Sequence, residues 1–380
     1  RRGTFAEHQG GSMASVERGC LVIADIAGYT KYLAGVELEH SHDVLADLLT
    51  TVVSQMRGLM HLAKLEGDAV FCYVHDGDTD GSMLLAMVQS CYNAFAKRLQ
   101  LIDRHTTCEC NACRLIPTLN LKFLIHHGEY AIHEIAGSRE LVGREVIVTH
   151  RMLKNSVTAV TGIHGYAMVT APCVEYFGID PAALGLIEHV GNYEDVGEIR
   201  AYVMDLESRW KEEQERQTVY IGPDEGVLLA EYELPAPPAI IWDYVTTPSK
   251  RLLWQHDTLR IDEAAPAGLR GAGTKNHCVH GDFAVDEEIL DWKPFRYFSD
   301  RTVGPFGSAQ FTTEFAASPD GMRTKVTIRA RPEGSPEQLA MMQQMLPEIR
   351  KMYDVGVQNL TALLINVQAA AAERAESLPT

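Results

Sequence analysis

Two aspartates and a run of thiols are the residues of this chain best suited to chemistry. Asp25 falls near the end of a short apolar run at 20–26 (CLVIADI), and Asp68 stands at the Gly67-Asp68 break inside 64–74 (KLEGDAVFCYV). A carboxylate at a strand end and another in an adjacent hairpin turn can converge on one hard divalent ion, Mg²⁺ or Mn²⁺, and bridge it to a triphosphate. On spacing alone the plainer reading is a helix-start aspartate and an ordinary turn aspartate, so the neighbouring residues must decide. The thiols are denser. Cys108, Cys110 and Cys113 follow His105 in the connector HTTCECNAC. Thiolates this close repel one another without a metal, which points to tetrahedral Zn²⁺ with His105 as fourth ligand. Cys91 or a residue of a second subunit competes for that fourth place, and reduced thiols or redox chemistry are the alternatives.

Regular elements must hold these residues. The run at 20–26 reads as a buried strand that Gly28 breaks. Between 37 and 62, apolar residues recur at Val44, Leu45, Leu48, Leu49, Val52, Val53, Met56, Leu59 and Met60, the spacing of one helix face. Residues 64–74 read as a hairpin turning at Gly67-Asp68. Asp80 is placed to cap a second helix with Leu84, Met87, Val88, Cys91, Phe95 and Leu99 on one side. Strands are expected at 119–126 and 200–205, with a helix ending near 155. The order β-α-β-β-α-β, with extensions, is a ferredoxin-like α+β arrangement.

The chain has 380 residues, 46% hydrophobic and 22% charged, enough for two ordinary cores. Its net charge of −17 argues against a nucleic-acid backbone or an anionic membrane surface as main partner, because both would repel it. No apolar run reaches membrane-spanning length, and the polar start, with Gly10-Gly11-Ser12 before Met13, lacks the apolar stretch of a signal peptide. The expectation is a cytoplasmic protein. The divisions expected are a tag or disordered N-terminus at 1–17, a first domain at 18–205, a charged linker at 206–225, a second domain at 226–372 and a tail at 373–380.

The segment Ala24-Asp25-Ile26-Ala27-Gly28-Tyr29-Thr30 resembles the first metal motif of class III adenylate and guanylate cyclases, and Lys64-Leu65-Glu66-Gly67-Asp68 resembles the second. Residues 141–151 (LVGREVIVTHR) are similar to the third motif and 195–202 (DVGEIRAY) to the last hairpin. The resemblance covers about residues 18–205. It implies that Asp25 and Asp68 hold two catalytic metals, that Lys64 and Glu140 recognise the base of a nucleoside triphosphate, and that Arg151 stabilises the transition state. It also implies a homodimer, since such active sites form between two subunits. The departures are specific. Ile147 stands where the family has an asparagine, and Glu194-Asp195-Val196 replaces a phosphate-contacting lysine. Losing one preorganised donor costs about 2.7–4 kcal/mol of transition-state stabilisation, so two losses imply weak cyclase activity or none.

After the boundary the pattern changes to strands, at 227–234, 273–280, 284–292, 297–303, 309–316 and 323–331, with a short helix near 240–245 and one long helical pattern from Ser335 to about 372. This half resembles the polyketide cyclase/START-like (SRPBCC) helix-grip domains, on the residues VLLAEYEL at 227–234, PAPPAIIWDY at 235–244 and Trp254. The resemblance implies a sheet wrapped on a long helix and a cavity for an apolar or amphipathic small molecule. Trp242, Trp254, Trp292, Phe295, Phe298, Phe311, Met341, Met342, Met345 and Met352 are candidate lining residues, with plain core as the alternative for each. His256 and His280 are candidate polar groups. The whole is expected to be a regulatory protein in which a degenerate cyclase-like domain binds metal and nucleotide beside a ligand domain. An active cyclase, or a dimeric ligand carrier with a scaffold half, are the alternatives.

Overall fold

The computed structural model describes residues 16–34, 38–105, 115–135, 138–215, 218–305 and 307–377. The first domain runs β1 (Val16–Ala27), α1 (Tyr29–Ala34), α2 (Leu38–Met56), β2 (His61–Glu66), β3 (Ala69–His75), α3 (Gly81–His105), β4 (Asn120–Ile135), β5 (Ser138–Val142) and α4 (Arg144–Arg151). It continues through α5 (Val157–Thr161), β6 (Tyr166–Thr170), α6 (Ala171–Phe177), β7 (Ile187–Tyr193), β8 (Gly197–Asp205) and α7 (Leu206–Glu215). The sheet order is β2-β3-β1-β4-β6-β8-β7, with β5 paired to β4. Its β2-β3-β1-β4 core is the ferredoxin-like arrangement expected.

The central strand β1 is apolar on both faces because both are covered. Val22, Ala24 and Ile26 pack with Leu48 and Val52 of α2 and Val88 and Phe95 of α3, while Leu21 and Ile23 pack with Val146 of α4 and Met152. Asp80 caps α3 as its type and position suggested, accepting from the Met83 amide at 2.9 Å,.

The second domain comprises β9 (Val227–Leu234), α8 (Pro238–Thr246), α9 (Pro248–Arg251), β10 (Thr258–Ala264), β11 (Lys275–His280), β12 (Phe283–Lys293), β13 (Tyr297–Gly304), β14 (Gly307–Ala317), β15 (Thr324–Glu333) and the long α10 (Pro336–Ser377). Its seven strands follow the order β10-β11-β12-β13-β14-β15-β9, every pair antiparallel. The helix α10 lies against β9, β14 and β15. Gly356 permits its approach to Trp254, since a Cβ there would stand 3.2 Å from the indole ring. Trp242 is fully buried, ringed by Trp292, Phe295, Phe298 and Phe315 at centroid distances of 4.7–6.2 Å among the group.

The apolar core is continuous across the two domains. Within 206–225, the stretch read as a linker, α7 buries Leu206 and turns Glu213 to accept from Gln89, Asn93 and Lys293. On the other side Arg270 donates to Asp80 at 3.0 Å and to Thr247 at 3.2 Å. No helix among the described residues is long and apolar enough to cross a membrane.

Candidate nucleotide and ligand sites

Asp25 lies near the end of β1, opposite Ala69 of β3 and Lys122 of β4. Asp68 sits between β2 and β3, in a turn for which Gly67 supplies φ +65°,. Its carbonyl accepts from the Ile26 amide at 3.2 Å, so backbone pairing ties the two aspartates together. Burial holds the Asp68 carboxyl above its usual range, and the neighbouring Asp25 charge raises it further,. Sequence reasoning missed the third member. Lys122 Nζ lies 3.0 Å from Asp25 Oδ2, both side chains being mostly buried. A lysine inside the otherwise apolar run Leu121–Ile125 was the available signal.

The two base-recognition candidates also meet. Lys64 Nζ lies 3.2 Å from Glu140 Oε2 and 2.9 Å from Glu66 Oε1, and Glu66 continues to His150 Nε2 at 3.0 Å. The bond to Glu66 is the main reason the Lys64 ammonium is held above its ordinary range. Arg151, at the end of α4, reaches Asp195 Oδ2 at 3.1 Å and Glu194 Oε2 at 3.4 Å. The acidic stretch that replaces the phosphate-contacting lysine therefore also occupies Arg151, the arginine in the transition-state position. One turn earlier, Ile147 presents an exposed apolar side chain. Cys108, Cys110 and Cys113 lie outside the described residues. His105 ends α3, and its side chain also lies outside them. Among the described residues no group of three or more His, Cys, Asp or Glu is arranged to hold a metal.

In the second domain a cavity of about 420 Å³ opens between the sheet and α10. Trp254, Trp292, Phe298, Phe311, Met345 and Met352 line it. Trp242 and Phe295 belong instead to the core behind it, and Met341 is exposed. The side chain of Met342 lies outside the described residues. His280 lines the cavity, and burial lowers its pKa. His256 pairs with Asp257 at 2.7 Å, well away from full burial.

The cavity wall also holds an ionic cluster that the sequence reading missed. Arg251 gives both terminal nitrogens to Glu287 at 2.8 Å, and Asn276 Nδ2 donates to Glu287 Oε2 at 3.3 Å. Asp300 stands nearby, its Oδ2 accepting from Thr302 at 2.9 Å. Burial, followed by the Glu287 charge, pushes the Asp300 carboxyl up to about 7. Glu287 itself is held below its usual range by Arg251 against the opposing effect of burial. The inward alternation Val285-Glu287-Ile289 was the legible signal: one carboxylate in a row of otherwise apolar positions on one strand face,.

Two families, a relative and several solved structures are similar to parts of this chain. Residues 229–364 match the family "Polyketide cyclase / dehydrase and lipid transport", and residues 45–161 match a family described only as "Protein of unknown function (DUF2652)". The uncharacterized protein Rv2561/Rv2562 of Mycobacterium tuberculosis (strain ATCC 25618 / H37Rv) is 33% identical over 165 residues, which is 43% of this chain and 73% of that one. Among solved structures, the adenylyl cyclase CyaB from P. aeruginosa is similar at 15% identity, with 51% of this chain and 97% of that chain covered and a TM-score of 0.38. DynU16, from the dynemicin biosynthetic locus, is similar at 19% identity, with 37% of this chain and 48% of that chain covered and a TM-score of 0.29.

Proposed function

We propose a function for a chain that belongs to the family of the uncharacterized protein Rv2561/Rv2562 of M. tuberculosis: its first domain binds a metal–nucleotide with little or no cyclisation, and its second binds an apolar or amphipathic small molecule that regulates the first. The observation that carries the nucleotide reading is the Asp25–Asp68 pair. Two adjacent carboxylates are accompanied by one ammonium, from Lys122. Their oxygens are the hard donors that Mg²⁺ or Mn²⁺ prefers, and the surplus negative charge suits one such ion better than two. When bound, the ion would neutralise phosphate oxygens. Lys64 and Glu140 would then present a donor and an acceptor to a base, in a homodimer from the opposing subunit.

Weak chemistry follows from Arg151. Its guanidinium already faces Glu194 and Asp195, and Ile147 offers no hydrogen bond where the ribose would be oriented. The test is binding of ATP, GTP, CTP and UTP with Mn²⁺, together with an assay for cyclic products. At least one nucleotide should bind in a Mn²⁺-dependent way, and Asp25→Ala should weaken it by more than about 10-fold, the loss of one charge-assisted contact. Cyclic product that vanishes in Asp25→Ala would establish an active cyclase instead. No binding of any nucleotide would leave the first domain a dimerisation scaffold.

Structural zinc at Cys108, Cys110 and Cys113, with His105 as fourth ligand, is a separate proposal. Freshly purified protein should contain about one zinc per chain by metal analysis, as one tetrahedral site requires; protein free of zinc removes it.

One polar contact from the second domain to the first runs through Arg270. This residue lines the cavity, is mostly buried and reaches the carboxylate of Asp80, which caps α3. A ligand that moves Arg270 acts directly on the start of that helix.

A further inference from the structure

The cavity of the second domain is unbalanced in charge. Arg251, Arg270, Glu263, Glu287, Asp300 and Glu348 line it. Both arginines are already occupied, Arg251 by Glu287 at 2.8 Å and Arg270 by Glu263 at 2.7 Å and Asp80 at 3.0 Å. Among the described residues, Asp300 and Glu348 are left without an ion-pair partner. Glu348 is exposed on α10, where water solvates it. Asp300 is 8% exposed and has no such relief. Phe298, Asp300 and Thr302 alternate along β13 on the face turned to the cavity,. Asp300 Oδ2 accepts from Thr302 at 2.9 Å. Its Oδ1 has no hydrogen-bond partner among the described residues, and it is not one of the sealed polar atoms of this wall, which are Arg251 Nε and Asn276 Oδ1. Burial first, and the Glu287 charge second, hold the Asp300 carboxyl at about 7. A cation beside it relieves both. Tyr353 of α10 faces it across the cavity, its hydroxyl raised by burial and then by the Asp300 charge.

We propose that this cavity takes an amphipathic amine, whose protonated nitrogen donates to Asp300 Oδ1 and whose hydrocarbon body lies along the aromatic wall. An ammonium supplies both a donor and the missing positive charge. A neutral hydroxyl donates to the same oxygen but leaves its charge uncompensated. A carboxylate meets two unpaired acids, with both arginines already neutralised. Trp254, Trp292, Phe298 and Phe311 provide the apolar surface, and the faces of such rings also attract a cation.

The inference rests on the ligand-binding reading of the second domain, and the experiment separates the two. The full chain is titrated at pH 8 with decylamine, 1-decanol and decanoate, followed by tryptophan fluorescence and calorimetry. At that pH Asp300 is mostly ionised and an alkylamine carries its proton,. One decylamine should bind per chain, about 10-fold or more tighter than the alcohol, the worth of one charge-assisted hydrogen bond. In Asp300→Asn the amine and the alcohol should come within about 3-fold of each other, because the charge that tells them apart is gone. Glu348→Gln should keep the preference of the unaltered chain. Equal affinity of amine and alcohol, or tighter binding of decanoate, would overturn the amine assignment while leaving the cavity a ligand site. A preference that survives in Asp300→Asn would also overturn it, placing the attraction in the rim carboxylate if Glu348→Gln removes it, and otherwise in the net charge of −17. Failure of all three probes to bind would overturn both readings.

Discussion

Glu287→Gln is expected to destabilise the second domain by about 3–5 kcal/mol, the cost of leaving one partner of a buried ion pair uncompensated. Arg251 is nine-tenths buried and spends both terminal nitrogens on this one carboxylate. Glutamine keeps the shape but removes the charge, and the guanidinium stays ionised inside the protein. Asp300 is the nearest substitute. In the intact protein its carboxyl is raised partly by Glu287, so removing Glu287 lets Asp300 ionise more readily and take up part of the pairing. The loss should therefore be larger near pH 5 than near pH 8. The double variant Arg251→Met, Glu287→Leu should lose less than either single change, because it removes both charges together. Urea unfolding followed by tryptophan fluorescence at the two pH values measures all of this. A single-variant loss under about 1 kcal/mol would mean that water solvates the cluster.

Asp300→Asn is expected to do the opposite and stabilise the protein at pH 8, by about 2 kcal/mol. The folded-state pKa of about 7 lies above the ordinary value of 3.8. Below about pH 4 both folded and unfolded chains carry the proton, and Asp300 contributes no pH dependence. Between about 4 and 7 the unfolded chain releases it while the folded chain retains it. Stability therefore falls as pH rises through that window and levels off above it. Each unit of difference is worth about 1.4 kcal/mol, and we take roughly half of the full sum to allow for relaxation around a coupled buried group. Asparagine cannot ionise, and its carbonyl can still accept from Thr302. Wild type and variant should thus agree near pH 4 and separate progressively towards pH 7. Parallel stability profiles across that range would rule out Asp300 as the titrating group.

Both results would concern the cluster that the cavity is built around, and they bear on why the protein keeps it. An all-apolar wall would be easier to fold. Holding Arg251, Glu287 and Asp300 inside is costly. Arg270 lines the same cavity and reaches Asp80 of the first domain, so the cavity wall has a short physical path to that domain.

The amino-acid sequence by itself determined the elements and their order. Apolar spacing marked the faces of α2 and α3, the alternation and turn residues marked the strands, and Gly67 placed Asp68 in a tight turn next to the end of β1. These are local features, set by side-chain period and backbone conformation over a few residues, and they carry the fold class; the Asp25–Asp68 pair was legible only through the resemblance of the residues around it to the cyclase metal motifs. What only the tertiary structure decided lies in contacts between distant positions. Lys122 against Asp25, Arg151 against Glu194 and Asp195, and Arg251 against Glu287 are separated by 97, 43, 44 and 36 positions. Strand register and turn conformation choose such partners, and one residue of slip would send each to the opposite face. The motif residues could therefore be found one at a time in the sequence. Whether Arg151 is free or occupied, and whether the cavity is plain or polar, was settled by which side chains the two sheets bring together.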